Sequence, residues 1–263
     1  MITDLLQITA GIYLAAGLAA WVGVALESSR SMRIAVAVLT AGAFVHGGAF
    51  VAFHLEKKPP PLTDLPAAVS WMALIAVIFL LVLLRRARLA ALVGVVAPAA
   101  FVGVFFAALR LPHPDAAPLV GSASPLPHLH VLLASMGLAF LGVAGVAGGL
   151  FLLVDRGLKR HRRVRSRWPS LEALDRVNRV ALAVGFLLLT LGVATGVLWV
   201  ASASVRDSTG RAHEIWSVLA WALYAVLVAA RFGGHQRGRR AAIAAVAGFA
   251  FLFFAVIGVS LLG

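Results

Sequence analysis

The chain has 263 residues, 62% of them hydrophobic and 13% charged, with a formal net charge of +13 and a mean hydropathy of +0.98. Soluble domains run near ~45–50% apolar and ~25% charged, so this composition excludes a single soluble core. The absence of cysteine excludes disulfides, thiolate metal sites and thiol redox steps carried by this chain, and the positive charge does not imply nucleic acid, because polytopic membrane proteins concentrate Lys and Arg in cytoplasmic loops.

The apolar residues fall in segments of roughly 18–25 residues, the length that crosses a bilayer. The expected fold class is all-α, a polytopic integral membrane bundle of about eight transmembrane helices. The spans are predicted near 4–26, 33–55, 66–84, 88–109, 128–154, 177–201, 214–231 and 240–262. The first lacks a basic leading region and contains Asp4, so it reads as a span and not as a cleaved signal. The third and fourth are separated only by Arg85, Arg86, Ala87 and Arg88, which implies a tight helical hairpin. The longest break, 155–176, leaves no room for a sizeable soluble domain. The chain is therefore read as one transmembrane domain, 1–263, with a four-helix N-terminal part over 1–110 and a second part over 125–263.

Basic residues set the expected orientation. All Lys and Arg except Lys57, Lys58, Arg110, Arg206 and Arg211 lie in the loops after spans 1, 3, 5 and 7. The positive-inside rule then places the N-terminus and the C-terminus outside. In this frame His54, His113, His128, His130 and His213 lie at or beyond the outer surface, His46 lies within span 2, and His161 and His235 are cytoplasmic. The stretch RGLKRHRRVRSRW is expected to anchor the chain at an anionic leaflet of the lipid bilayer. Trp21, Trp71, Trp168 and Trp199 fall near predicted interfaces, where belt tryptophans sit.

His46 is the least ordinary residue. In TAGAFVHGGAFVAFHL it lies deep in span 2 among Gly42, Gly47 and Gly48. An ionisable residue at that depth faces the bundle interior and pairs with something. Three readings stand: a neutral histidine bonded to a backbone carbonyl or a Ser/Thr of a neighbouring span, a haem or metal ligand, or a proton-handling group. The glycines would let a neighbouring helix or a flat macrocycle approach closely. His54 is about 80° away in azimuth and roughly 12 Å further along the axis, so the two cannot share a small metal ion on a straight helix.

PLPHLHVLLASMGLAF, residues 125–140, opens span 5 with two prolines and two histidines. Proline suits a helix start, where the first N–H groups lack partners. His128 and His130 diverge by about 200°, so only one can face the bundle, and helical geometry does not choose between them. The chain has no HExxH and no local zinc spacing. Small-residue pairs at Gly145/Gly149 and Gly192/Gly196 are expected to serve helix packing, and Pro98 is expected to kink span 4.

Several stretches of the C-terminal half resemble the cytochrome c assembly membrane proteins, the haem-handling CcsA/CcmC-type family, and within it the short HemX- and YpjD-like members. These are HVLLASMGLAFLGVAGVAGGLFLL, PSLEALDRVNRVALAVGFLLLTLGVATGVLW, HEIWSVLAWALYAVLVAAR with Glu214, Trp216 and Trp221, and RGRRAAIAAVAGFAFLFFAVIGVSLL. The likeness covers roughly 125–262, and spans 1–4 share the number and the buried His46. It implies haem as a cofactor, held between external histidines on a tryptophan-rich segment with a WGxxWxWDPKE-like core. His130 falls on the first external position, so the resemblance selects it over His128, and His46 falls near a buried haem histidine. Here the tryptophan-rich segment reads WVASASVRDSTGRAHE, Ala229 stands at the second buried position, and the sequence ends at Leu-Leu-Gly ahead of the second external one. A haem would then use His46 or His130 with a new partner, His213 or His128, or a single axial ligand.

The resemblance implies a non-enzymatic role in the bacterial inner membrane: holding or delivering haem at the outer face during cytochrome c maturation, with other maturation membrane proteins as partners and no nucleic acid. The alternatives are a haem-free accessory or regulatory subunit of a membrane complex, and a small-solute or lipid transporter. Unbroken spans without interior carboxylates disfavour the transporter.

Overall fold

The computed structural model describes residues 2–55, 65–85, 89–110, 126–159, 168–202 and 208–262, apart from the side chains of residues 2, 54, 65, 202, 208–214 and 255–262. Among the described residues there are eight α-helices and no strand: α1 (Ile2–Ala25), α2 (Ser29–Leu55), α3 (Leu65–Leu84), α4 (Val93–Arg110) after a 3-10 turn at Ala90–Leu92, α5 (Leu126–Lys159), α6 (Leu171–Ser202), α7 (Ser208–Phe232) and α8 (Arg239–Leu262). The first seven contain segments long and apolar enough to cross a membrane, and α8 adds a 24-residue helix of the same character. The chain is an all-helical integral membrane protein.

Helix boundaries follow side-chain chemistry more closely than apolar length. The Ser28 hydroxyl accepts the Ser31 amide at 3.2 Å and starts α2. The Ser170 hydroxyl accepts the Ala173 amide at 3.2 Å and starts α6 at Leu171, six residues ahead of the apolar segment. Both are N-caps that satisfy otherwise orphaned donors. The 34 residues of α5 make a helix about 51 Å long, which exceeds the ~30 Å hydrocarbon layer. The break expected over 155–176 therefore shortens to the residues between Lys159 and Leu171. Thr9, Thr40 and Thr190 donate to the carbonyls four residues back, which removes the cost of a hydroxyl in an apolar helix.

The chain divides into two compact units. One comprises residues 1–123 with 157–173, and the other 124–156 with 174–263. In the first, α1 packs on both α2 and α4, and α3 packs on α4. Pro98 interrupts the hydrogen-bond ladder of α4, because proline has no N–H for the carbonyl of residue 94. The Trp21 indole N–H of α1 donates to that carbonyl, Gly94 O, at 2.7 Å. Gly17 leaves room for the Pro98 ring: a Cβ there would come within 2.8 Å of it. The proline is thus a packed joint between α1 and α4, and Trp21, expected as a belt residue, closes it.

In the second unit α5 and α6 run antiparallel. Asn178 Nδ2 donates to Ala144 O at 2.9 Å at one end, and His130 Nδ1 meets Gly192 O at the other. Between them, a Cβ on Gly137 would lie 2.7 Å from the Leu189 amide nitrogen, and one on Gly192 would lie 2.9 Å from that of Ala134. The contacts at 130, 134, 137, 141 and 144 repeat at three and four residues, as do 185, 189, 192 and 196. This is ridge-into-groove packing with small residues at the seam. On α5's other flank, Gly145 faces the Phe249 ring and Gly148 the Ala242 carbonyl of α8. Trp221 of α7 donates to Thr190 Oγ1 of α6 at 3.0 Å, and its ring stacks on Phe186 at 6.2 Å.

Candidate functional site

His130 sits in the first turns of α5, where Leu126 and Pro127 begin the helix. The ring is half-buried, whereas His128 is exposed. The Nδ1 of His130 lies 2.7 Å from Gly192 O. A carbonyl can only accept, so Nδ1 carries the proton and donates, and in the neutral ring Nε2 holds the lone pair. The ring lies against α6 at Gly196, where a Cβ would come within 2.8 Å of both Nδ1 and Cε1. The Trp199 ring is 6.2 Å away between centroids. Backbone donation through one nitrogen is the usual support for a metal-ligating histidine, because it fixes the tautomer and raises the basicity of the other nitrogen. His130 has this kind of backbone support through Nδ1.

His46 has a different environment. It is fully buried in α2, as are Tyr13 of α1 at 0% exposure and Ser70 of α3 at 1%. Tyr13 Oη is 3.2 Å from Nδ1, and Ser70 Oγ is 2.9 Å from Nε2. Both hydroxyls can donate or accept, so either tautomer satisfies the ring. The Tyr13 ring meets His46 edge-on at 5.7 Å, and Phe50 lies at 5.5 Å. Gly42 admits the Tyr13 ring, which a Cβ would meet at 2.7 Å, whereas a Cβ on Gly47 or Gly48 would meet nothing within 4 Å. Of the three sequence readings, the arrangement matches the histidine bonded to a hydroxyl of a neighbouring span. Coordination of iron by His46 would require one of these two bonds to break.

His130 and His128 belong to the second unit and His46 to the first. His213 lies in α7, with its side chain outside the described residues, as does that of His54; His113 lies outside them altogether. Among the described residues, no three His, Asp or Glu gather as a metal site.

One polar cluster has little signal in the sequence. Arg231 at the end of α7 is 5% exposed. Its Nη2 donates to Asp175 Oδ2 at 2.8 Å, and Nη1 to Gln236 O at 2.8 Å. Asp175 Oδ1 in turn accepts the Gly238 amide at 3.1 Å, at a backbone with φ of +62° that suits glycine. The cluster ties α6 to the α7–α8 turn. By sequence Arg231 is one of the basic residues that set the topology, and Asp175 precedes the apolar run of span 6. The N-cap Ser170 was the signal that α6 starts early enough to bring Asp175 onto it.

The described residues thus define an all-helical membrane protein with a backbone-supported histidine in the first turns of α5. Residues 60–263 match the family described as Cytochrome C assembly protein. That is well over half of the chain, and the chain belongs to this family. Over 92 residues it is 39% identical to the "Cytochrome c biogenesis protein CcsA" of Prochlorococcus marinus (strain MIT 9303), covering 35% of this chain and 29% of the relative. It is 35% identical over 92 residues to the protein of that name from Synechococcus sp. (strain CC9605), covering 35% of this chain and 30% of the relative. The match to the Prochlorococcus marinus (strain NATL1A) protein is 33% over 96 residues, or 36% of this chain and 30% of the relative. The chain thus matches less than a third of the length of these curated relatives.

Proposed function

We propose that this protein takes part in cytochrome c assembly by holding haem at the outer face of the bacterial inner membrane, with His130 as an axial ligand. The observation that carries the reading is the support of His130 by Gly192 O at 2.7 Å, the kind of backbone bond that fixes the tautomer and orientation of a metal-ligating histidine. The family match supports the pathway, and the distribution of Lys and Arg supports an outward-facing mouth for α5 and outward termini. The role is binding and presentation, not enzymatic turnover. Haem is itself the group attached to the apocytochrome, and this chain's residues would hold and orient it. Thiol chemistry falls to partner proteins, since the chain has no cysteine. His128 and His213 are the candidates for a second ligand from the outer surface.

A second reading, a haem-free accessory subunit, draws on His46, whose two nitrogens are already engaged by Tyr13 and Ser70. The purified protein titrated with haem separates the two. The haem-holding reading predicts a saturable Soret band and a reduced-minus-oxidised α-band. Absence of both at saturating haem rejects it in favour of the accessory role.

A further inference from the structure

The two glycines of α6 nearest the mouth of α5 meet different kinds of atoms. At Gly192 a Cβ would strike the backbone of Ala134, 2.9 Å from its nitrogen and 3.0 Å from its Cα. Nothing there yields without moving a helix. At Gly196 a Cβ would come within 2.8 Å of Nδ1 and Cε1 of His130, and a side chain can rotate away. Gly192 therefore sets the separation of the two helices, whereas Gly196 sets only where the imidazole lies. The same turn supplies the acceptor, because Gly192 O takes the Nδ1 proton at 2.7 Å. The Thr195 hydroxyl lies 2.8 Å from that oxygen and 2.9 Å from Leu191 O, which holds the polar edge of the turn in place.

We propose that Gly196 is a positioning residue for His130: its missing side chain forms the slot that receives the Nδ1–Cε1 edge of the ring and lets Nδ1 donate to Gly192 O. The proposal rests on the haem-holding reading only for its consequence, since the slot and the tautomer exist without haem. Filling the slot by Gly196→Ala displaces the ring, breaks the bond to Gly192 O and leaves the helix seam intact. Loss of such a supporting bond lowers metal affinity by about 10–100-fold. Gly149→Ala is the control, since a Cβ there would meet only Val246 Cγ2, at an ordinary 3.9 Å.

The test has two readouts on the full-length protein in detergent. In 15N-histidine NMR without haem, wild type and Gly149→Ala should show His130 protonated at Nδ1, and Gly196→Ala should shift the proton toward Nε2. In haem titration, Gly196→Ala should weaken binding about 10–100-fold while its melting temperature stays closer to wild type than that of Gly192→Ala. An unchanged His130 spectrum in Gly196→Ala overturns the proposal whether or not haem binds. If the His130 signal shifts as expected but wild type takes up no haem, the slot stands and the haem-holding reading fails.

Discussion

Removing the hydroxyls around His46 should destabilise the protein, and removing His46 as well should restore part of the loss. Tyr13→Phe deletes the partner of Nδ1 and Ser70→Ala that of Nε2, each with little change in shape. Hydrogen bonds between membrane helices are worth ~0.6 kcal/mol on average and up to ~1.7, and a buried polar atom left without a partner costs about 1–3 kcal/mol. Each single variant should therefore lose about 1 kcal/mol. The double variant, which strands both nitrogens of a fully buried ring, should lose at least about 2 kcal/mol. Adding His46→Leu to that double variant removes the stranded atoms and should restore part of the loss, although His46→Leu alone strands two hydroxyls and destabilises. Tyr224→Phe provides the opposite sign, because Tyr224 is 1% exposed and its hydroxyl has no hydrogen-bond partner among the described residues. That change should be neutral or stabilising. Reversible unfolding in mixed micelles, followed by far-ultraviolet circular dichroism, measures all of these. If His46→Leu destabilises the double variant as much as it does the wild type, the pairing of His46 with Tyr13 and Ser70 is refuted.

Two further outcomes follow from the polar contacts outside the histidines. Trp21→Phe should cost about 1 kcal/mol in wild type and much less in a Pro98→Ala background, where residue 98 regains an N–H for Gly94 O; equal costs in both backgrounds would contradict the indole's role. Asp175→Asn should destabilise by about 1.5–3 kcal/mol, since it removes the charged partner of a buried guanidinium, and a thermal melt within error of wild type would show that Arg231 is satisfied by Gln236 O and by the Asp175 carbonyl, which accepts from Nη2 at 3.2 Å.

The membrane class and the helix order were legible because apolar length is a one-dimensional property: each span follows from the residues within it. The small-residue pair Gly192/Gly196 was legible as packing for the same reason. What met those glycines was not, because the Ala134 backbone and the His130 ring lie on another helix. His46 announced itself by depth, yet its partners Tyr13 and Ser70 come from helices on either side of α2 in the sequence, and no spacing rule connects them. Trp21 looked like a belt residue because exposure and indole character are shared by both roles; the deciding fact, a carbonyl orphaned by Pro98, lies 73 residues away. Local geometry could not separate His128 from His130. The resemblance to a family singled out one of them, and the structure places that one against α6.

The most direct measurement is a haem titration of His130→Gly with and without added imidazole, followed by the Soret band. The slot left on α6 can admit imidazole in place of the missing side chain. Haem binding should be weak in the variant alone and recover, with a nitrogen-ligated spectrum, when imidazole is supplied. Wild-type affinity and spectrum in His130→Gly without imidazole would contradict the assignment of His130 as the axial ligand.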